Sequence, residues 1–237
     1  KYERFNKLSS FGQYRSWLRT LIDKSPITSE TLMLDIAGGT GDVTFTACER
    51  KQPKHIILSD YTPAMLEVAQ SRLDAGEANG VPVELAVVDG QDIPYEDGSF
   101  DIITMSYGIR NMPERERALS EMYRVLKPGG ILLNFDAGWY TYLFDEQKQA
   151  AFQADRANVA ELGVIDHNDY CESDRMEDIS RSLILSRSER PKADVQMLGK
   201  AGFRRVRADT EIWKRTWDDV EKVNFASTPL FLLCAQK

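Results

Sequence analysis

The feature that most constrains the fold is a regular alternation of short apolar segments with longer amphipathic segments over residues 31–136. The apolar segments have the length of β-strands, and the amphipathic segments have the residue spacing of helices. The predicted strands are Thr31–Ile36, Lys54–Asp60, Val83–Asp89, Phe100–Ser106 and Ile131–Asp136. The predicted helices are Asp42–Arg50, Pro63–Ala75 and Arg115–Leu126, the last ended by a turn at Lys127-Pro128-Gly129-Gly130. Such strands pair in parallel with both sheet faces covered, which predicts a doubly wound, Rossmann-like α/β sheet.

The alternation stops after this region and resumes near the end of the chain. Residues 139–188 carry no clear strand pattern, and they begin with the aromatic residues Trp139, Tyr140, Tyr142 and Phe144. We interpret residues 139–190 as a helical cap inserted over the active site of a single domain that spans residues 1–237. A helix at Lys192–Ala201 and strands near Phe203–Ile212 and Pro229–Ala235 follow, and the last two strands are expected to form an antiparallel edge.

Composition excludes several classes of protein. The 237 residues include 30 Lys and Arg against 37 Asp and Glu, a net charge of −7, which argues against nucleic-acid binding. No apolar run reaches the roughly 18–20 residues of a membrane span. Cys48, Cys171 and Cys234 are far apart and favour neither a disulfide framework nor a metal site. With no signal-peptide pattern, we expect a cytoplasmic protein without an integral membrane segment.

A glycine cluster marks the turn from the first strand into the first following helix. The run Asp35-Ile36-Ala37-Gly38-Gly39-Thr40-Gly41 allows a tight turn and close approach of a ligand to the backbone. Asp60 lies at the tip of the next strand, where its carboxylate can accept hydrogen bonds from the hydroxyls of a ribose. The pattern therefore predicts a nucleoside site, although a plain strand–helix turn is an alternative reading of the glycines alone.

A nicotinamide dinucleotide fits this turn less well than a nucleoside without phosphate. The dinucleotide motif G-x-G-x-x-G lacks its third glycine here, because Thr44 stands at that position. Asp42 at the start of the helix is also expected to repel a pyrophosphate. These two features favour S-adenosylmethionine as the cofactor.

Two further clusters follow strands that end at the same edge of the sheet. Asp89-Gly90 follows the third predicted strand, where an acidic side chain can accept from an adenine amino group. Ser106-Tyr107-Gly108 ends the fourth predicted strand. Ligands of open α/β sheets bind outside the carboxyl ends of the strands, so these clusters and the glycine turn are expected to converge on one site.

At this point the chain resembles a known family. The runs L-D-I-A-G-G-T-G-D, S-D-Y-T-P-A-M-L, D-I-P-Y-E-D-G-S-F-D and Y-R-V-L-K-P-G-G resemble class I S-adenosylmethionine-dependent methyltransferases. More narrowly, A-G-G-T-G-D, S-Y-G-I-R-N and a leader motif within Tyr2–Gly12 resemble the ubiquinone/menaquinone biosynthesis C-methyltransferases over about residues 1–136. The resemblance implies a seven-stranded sheet whose last strand is antiparallel.

The resemblance also implies residue roles. Thr40, Asp60, Asp89, Gly90 and Ser106 fall at cofactor positions of that family, and Asp35 and Gly39 match the motif of the wider class. The complete set that we predict to bind S-adenosylmethionine is Asp35, Ala37, Gly38, Gly39, Thr40, Gly41, Asp60, Tyr61, Asp89, Gly90 and Ser106.

Beyond Asp136 the resemblance ends, because the quinone family continues there with a Glu-Phe-Ser-Lys-Pro-like run that this chain lacks. We therefore expect methyl transfer to a small molecule, with aromatic and quinone-like acceptors among the candidates. His167 is a candidate base or acceptor contact, and Tyr107, Arg110 and Asn111 are candidate acceptor contacts. Arg187 and Arg190 are expected to be exposed.

Two other functions stay open from the sequence alone. One is a non-catalytic module that binds S-adenosylmethionine, and the other is a nicotinamide-dependent oxidoreductase. The accepting atom, the need for a general base and the oligomeric state are also open, and a homodimer is compatible with these features.

Overall fold

A computed structural model describes residues 14–166 and 173–237 of the chain. The predicted leader motif within Tyr2–Gly12 and the candidate base His167 lie outside the described residues. Within the described part, the structure contains one seven-stranded sheet and several α-helices.

The sheet has the strand order β3-β2-β1-β4-β5-β7-β6. Strands β1 to β5 pair in parallel, and β7 runs antiparallel. The strands are β1 Leu32–Ile36, β2 His55–Asp60, β3 Val83–Val87, β4 Phe100–Ser106, β5 Leu126–Ala137, β6 Arg204–Asp209 and β7 Leu230–Gln236. This arrangement confirms the predicted doubly wound fold and its antiparallel last strand.

Nine α-helices accompany the sheet in residues 14–166 and 173–237. They are α1 Tyr14–Lys24, α2 Asp42–Arg50, α3 Pro63–Asp74, α4 Arg115–Val125, α5 Glu146–Leu162, α6 Ser173–Ser182, α7 Lys192–Lys200, α8 Ile212–Thr216 and α9 Asp219–Phe225. Helix α3 begins with Pro63, whose fixed φ suits a first turn. The same described residues contain three 3₁₀ turns, at Ile109–Asn111, Thr141–Leu143 and Ile184–Arg187. None of these helices is long and apolar enough to cross a membrane.

The predicted strand and helix bounds agree closely with the structure, with one clear error. The turn expected at Lys127-Pro128-Gly129-Gly130 is wrong, because β5 already begins at Leu126. Leu126 pairs with Phe100 of β4, and the register shifts before Ile102 pairs with Ile131. Such an irregularity accommodates proline within a strand. The Gly129 N–H also donates to the carbonyl of Lys237 over 3.1 Å, which continues the pairing.

The chain divides into two compact units. The sheet unit comprises residues 18–135, 195–208 and 233–237. The second unit comprises the described parts of residues 1–17 and 136–194 together with residues 209–232. The predicted cap at 139–190 falls within the second unit, and its placement over the active site stays a prediction.

A buried charge cluster lies within the second unit. Arg190 is not exposed as predicted: its side chain is 2% accessible and donates to Asp136 over 2.8 Å and to Asp194 over 2.6 Å. Its guanidinium also lies 5.1 Å from the ring centre of Phe231. The exposure prediction was wrong because Asp136 is distant in sequence and its pairing leaves no local pattern. Arg187, by contrast, is exposed as expected.

Some of the aromatic residues at the start of the predicted cap pack inside the second unit. The Tyr142 ring stacks on Phe152 with 3.9 Å between centroids, and its hydroxyl donates to Glu177 over 2.8 Å. Burial and this hydrogen bond raise the pKa of Tyr142 above its usual range. Phe144 is 40% exposed, with the Arg187 guanidinium over its ring. Tyr142 therefore contributes to the packing of the second unit, whereas Phe144 lies at its surface.

The buried cluster yields a stability prediction. Arg190→Met leaves the carboxylates of Asp136 and Asp194 buried without their shared cation, so we expect a loss of about 3–5 kcal/mol in unfolding free energy. Urea denaturation followed by circular dichroism measures this loss. Arg187→Gln is the control, with an expected change within about 0.5 kcal/mol. Equal effects of the two substitutions would contradict the assignment.

Candidate functional site

The candidate site is built around the turn between β1 and α2, residues 37–41, which we call the glycine loop. Its backbone turns sharply because Ala37, Gly39 and Gly41 all have left-handed φ angles, of 53°, 58° and 90°. The loop is closed by a 2.9 Å hydrogen bond from the Gly41 N–H to the carbonyl of Gly38. Ala37 adopts a conformation that costs a non-glycine residue about 1–2 kcal/mol, so the surrounding structure must hold it there.

Two glycines of the loop have different surroundings. A Cβ on Gly38 would lie 2.3 Å from the Leu58 Cδ1 atom and 2.9 Å from an Asp35 oxygen, so the loop packs tightly against the sheet at this point. A Cβ on Gly39 would have no described atom within 4 Å. Gly39 thus presents bare backbone on an open side, where a ligand can approach closely.

Asp35 lies beneath the loop with a fully buried side chain. One carboxylate oxygen accepts from the Thr44 hydroxyl over 2.7 Å, and the other accepts from the Thr104 hydroxyl over 2.6 Å. Burial raises the pKa of Asp35 to about 6 despite these hydrogen bonds. The side chain thus ties β1 to α2 and β4, a geometry that favours positioning of the loop over direct contact with a ligand.

Asp60 joins the end of β2 to the glycine loop. Its Oδ2 atom accepts from the Gly39 N–H over 2.9 Å, and its Oδ1 atom accepts from the Thr62 N–H over 2.8 Å. Each carboxylate oxygen has a second lone pair, so the group can accept further hydrogen bonds from a ligand. Tyr61, the next residue along the chain, has a side chain that is 72% exposed.

The segment after β3 contributes Asp89 and Gly90. Hydrogen bonds donated by the backbone and side chain of Gln91 hold the pKa of Asp89 below its usual value. A Cβ on Gly90 would lie 2.8 Å from the terminal carbon of Met112 and 3.4 Å from Ile36. Gly90 therefore brings this segment against the end of β1, as the sequence predicts for neighbouring strand ends.

The end of β4 and the segment after it contain the remaining candidates of the sheet unit. The Ser106 hydroxyl oxygen is buried and has no hydrogen-bond partner among the described residues. Tyr107 has a left-handed φ of 56°, and its ring lies 5.6 Å from the Arg110 guanidinium. Asn111 is exposed. A Cβ on Gly108 would lie 2.8 Å from that of Ala37, so this segment abuts the glycine loop.

The structure thus brings together the predicted residues that follow β1, β2, β3 and β4. Asp60 touches the loop by hydrogen bonding, and Gly90 and Gly108 lie within contact distance of Ile36 and Ala37. His167 is not among the described residues. Within residues 14–166 and 173–237, no group of three or more His, Cys, Asp or Glu side chains could hold a metal ion.

Sequence reasoning missed the residues whose hydrogen bonds support the glycine loop. Thr44 and Thr104 bind Asp35, and Arg72 of α3 donates to the Thr40 carbonyl over 3.0 Å and to Asp42 over 2.8 Å. The ion pair with Arg72 reduces the repulsion that Asp42 was expected to exert on a pyrophosphate. The missing third glycine is therefore the stronger sequence argument against a dinucleotide.

Comparisons with known proteins agree with this geometry at the level of the fold. A phosphoethanolamine N-methyltransferase 2 of Haemonchus contortus, in complex with S-adenosyl-L-methionine, superimposes with a TM-score of 0.64 at 18% identity, covering 98% of this chain and 58% of that one. The [4+2]-cyclase SpnF gives a TM-score of 0.61 at 18% identity, covering 94% and 80%. The fold is therefore that of the Rossmann-like S-adenosylmethionine-dependent methyltransferases.

The sequence comparisons define the family. A profile of the ubiE/COQ5 methyltransferase family matches residues 1–210, and the chain belongs to this family. The ubiquinone/menaquinone biosynthesis C-methyltransferase UbiE of Francisella tularensis subsp. novicida is 42% identical over 134 residues, 56% of this chain and 53% of the relative. UbiE of Idiomarina loihiensis is 42% identical over 135 residues, with the same coverage. The matches thus span about half the length of these curated relatives.

The different surroundings of Gly38 and Gly39 predict different effects when each glycine is replaced by alanine. Gly38→Ala forces atoms of Leu58 or Asp35 to move, so we expect a loss of about 1–3 kcal/mol in unfolding free energy. Gly39→Ala meets no atom and costs about 1 kcal/mol of backbone strain, but its methyl group occupies the open side of the loop. Calorimetric titration with S-adenosylhomocysteine should therefore show the larger loss of affinity in Gly39→Ala. Unchanged affinity in a folded Gly39→Ala protein would contradict the assigned ligand side.

The buried carboxylate predicts a pH dependence. Burial raises the pKa of Asp35 in the folded protein to about 6, whereas an unperturbed aspartate has a pKa of 3.8. Between these values the unfolded state binds fewer protons, so unfolding free energy falls as pH rises. The difference corresponds to about 3 kcal/mol. Urea denaturation should show Asp35→Asn gaining stability relative to the unmodified chain between pH 4 and pH 7.

Asp101 provides a control of opposite sign. Burial opposes its ionisation, but the hydrogen bonds from Lys127 and Leu32 together lower the pKa of Asp101. Asp101→Asn should therefore lose stability relative to the unmodified chain as pH rises through the acid range. A stability difference for Asp35→Asn that does not change with pH would contradict the account of Asp35.

Proposed function

We propose that this protein transfers the methyl group of S-adenosylmethionine to a small-molecule acceptor. The observation that carries the proposal is the hydrogen bond from Gly39 to Asp60, which sets a ribose-accepting carboxylate beside open backbone at the end of β1 and β2. Membership of the ubiE/COQ5 methyltransferase family supports the same reaction class.

The residues of the sheet unit fit S-adenosylmethionine on their own chemistry. The open side of Gly39 admits a ligand, and the buried Ser106 hydroxyl has an unused hydrogen-bonding capacity at the end of β4. In the proposed arrangement Asp60 accepts from the ribose hydroxyls, Tyr61 covers the base, and Asp89 accepts from the adenine amino group. The ligand approaches the backbone of the loop along a path lined by Thr40, Gly41 and Gly90. The shape of the loop is maintained by Asp35, Ala37 and Gly38.

The cofactor supplies a methyl group that its sulfonium already activates. The contribution of the protein is therefore to align the acceptor with the methyl–sulfur bond, and such orientation supplies about 7–11 kcal/mol in well-oriented reactions. We propose Tyr107, Arg110 and Asn111 as acceptor contacts, because all three lie within five residues after Ser106 along the chain. Arg110 would hold an anionic oxygen and Asn111 would orient a neutral one. His167 stays a candidate base for an acceptor that must lose a proton.

The acceptor that we favour is aromatic and quinone-like. The named UbiE relatives are ubiquinone/menaquinone biosynthesis C-methyltransferases, and their similarity supports this class. The family match extends to residue 210, past the limit near residue 136 that the motifs suggested. The chain nevertheless lacks the Glu-Phe-Ser-Lys-Pro-like run of the quinone family after Asp136, in the segment of the second unit that includes the proposed cap. Because such inserted segments select substrates, the acceptor is the part of the proposal that needs a direct test.

The cellular location and partners are also proposals. Cys48 is a buried free thiol and Cys234 a half-buried one. We propose a cytoplasmic enzyme whose partner is its small-molecule substrate, with no role in nucleic-acid binding. A homodimer remains an expectation that sedimentation of the full chain would test.

Removing the proposed ribose acceptor tests the cofactor site. Asp60→Ala should weaken S-adenosylhomocysteine binding by about 1–3 kcal/mol, the usual effect of removing a charged hydrogen-bond acceptor. Isothermal titration calorimetry of the folded variant measures the change. Glu67→Ala, which removes an exposed carboxylate from α3, is the matched control and should bind as the unmodified chain does.

The same proteins distinguish the rival functions. Stabilisation of the unmodified chain by NADH but not by S-adenosylhomocysteine would favour an oxidoreductase. Labelled methyl groups should pass from S-adenosylmethionine to hydroquinones in a panel that also contains phenols, amines and thiols. Binding of the cofactor without transfer to any member of the panel would favour a non-catalytic module over an enzyme.

A further inference from the structure

Arg72 is a buried cation behind the glycine loop. It lies near the end of helix α3 and is 9% exposed. Its guanidinium donates to the Thr40 carbonyl over 3.0 Å, to Asp42 over 2.8 Å and to Glu77 over 2.9 Å. A buried guanidinium with acceptors on three segments fixes their relative positions, because its planar donors have a rigid geometry.

The contacts of Arg72 act on the part of the loop that leads into α2. One nitrogen, Nη1, bridges the Thr40 carbonyl and the Asp42 carboxylate. The guanidinium carbon also lies 4.4 Å from the ring centre of Phe45. A Cβ on Gly41 would lie 2.6 Å from that same ring. Arg72 and Phe45 therefore close off one side of the loop from residue 40 onward.

Hydrogen bonds anchor the beginning of the loop independently of Arg72. The Gly38 N–H donates to the Ser59 carbonyl over 2.9 Å, and the Gly39 N–H donates to Asp60 over 2.9 Å. Strand β2 thus holds residues 38 and 39, whereas α3 holds residues 40 and 42. With both halves anchored, the loop needs little further ordering when it binds a ligand.

We propose that Arg72 is a positioning residue of the cofactor site, which holds Thr40 and Asp42 so that the glycine loop is preorganised for the adenosyl group. This inference rests on the proposed function, since it assigns a role at the same site. Arg72 does not touch the cofactor in this account. Its effect passes through the backbone of the loop.

A purely structural role for Arg72 makes a different prediction. If Arg72 only packs α3 against α2, its loss lowers stability but leaves the affinity of the folded protein unchanged. If Arg72 holds the loop, its loss weakens binding even well below the melting temperature. The amides of residues 39–42 then also exchange faster with solvent deuterium.

The experiment compares Arg72→Met and Arg72→Lys with Leu119→Ala. Leu119→Ala removes a buried side chain from α4 and therefore destabilises the protein without touching any of the hydrogen bonds of the loop. S-adenosylhomocysteine is titrated into each protein by calorimetry below its melting temperature. Hydrogen exchange of residues 39–42 is measured on the same ligand-free samples.

We expect Arg72→Met to bind S-adenosylhomocysteine about tenfold or more weakly, because ordering of the loop then opposes binding. Arg72→Lys keeps the positive charge but loses the planar set of guanidinium donors, so we expect an intermediate affinity. If Arg72→Met does not fold, the test relies on Arg72→Lys. Leu119→Ala should keep full affinity and loop protection.

Full affinity in the folded Arg72 variants would overturn the inference. Absence of binding by the unmodified chain would instead overturn the proposed function, while loop exchange would still report on Arg72.

Discussion

The hydrogen bond from the Gly39 amide to the Asp60 carboxylate is the interaction on which the proposed site depends. It joins the turn after β1 to the end of β2, and it fixes an acceptor group beside a backbone position that carries no side chain. The left-handed conformations of Ala37, Gly39 and Gly41 make this contact geometrically accessible. A side chain at Gly39 would fill the space that the account assigns to the ligand.

Buried polar contacts beneath the loop support this arrangement. Asp35 binds hydroxyls from α2 and β4, and Arg72 binds the loop and the start of α2 from α3. These groups require partners because an unpaired buried charge is costly. The loop is thus flanked by two sets of buried polar contacts. Its shape follows from partners that are distant in sequence as much as from its glycines.

Much of the sheet could be predicted from the sequence because its signals are local. Apolar strands, helical spacing and the turn residues of the glycine loop are each visible within a few positions, and the predicted bounds of α2 and β4 match the structure. The predicted turn at Pro128 and the predicted exposure of Arg190 were wrong. Pro128 lies in β5, which pairs with β4, and Arg190 pairs with Asp136. In both cases the partner is distant in sequence. The contacts of Arg72 with Thr40 and Asp42 could not be predicted for the same reason.

The most direct test of the account is a crystal structure of the full chain with S-adenosylhomocysteine bound. We expect the ribose hydroxyls on the carboxylate of Asp60, the adenosyl group against the open side of Gly39, and the base near Asp89. Density for the ligand at any other place on the sheet, or a glycine loop that holds no ligand at saturating concentration, would contradict it.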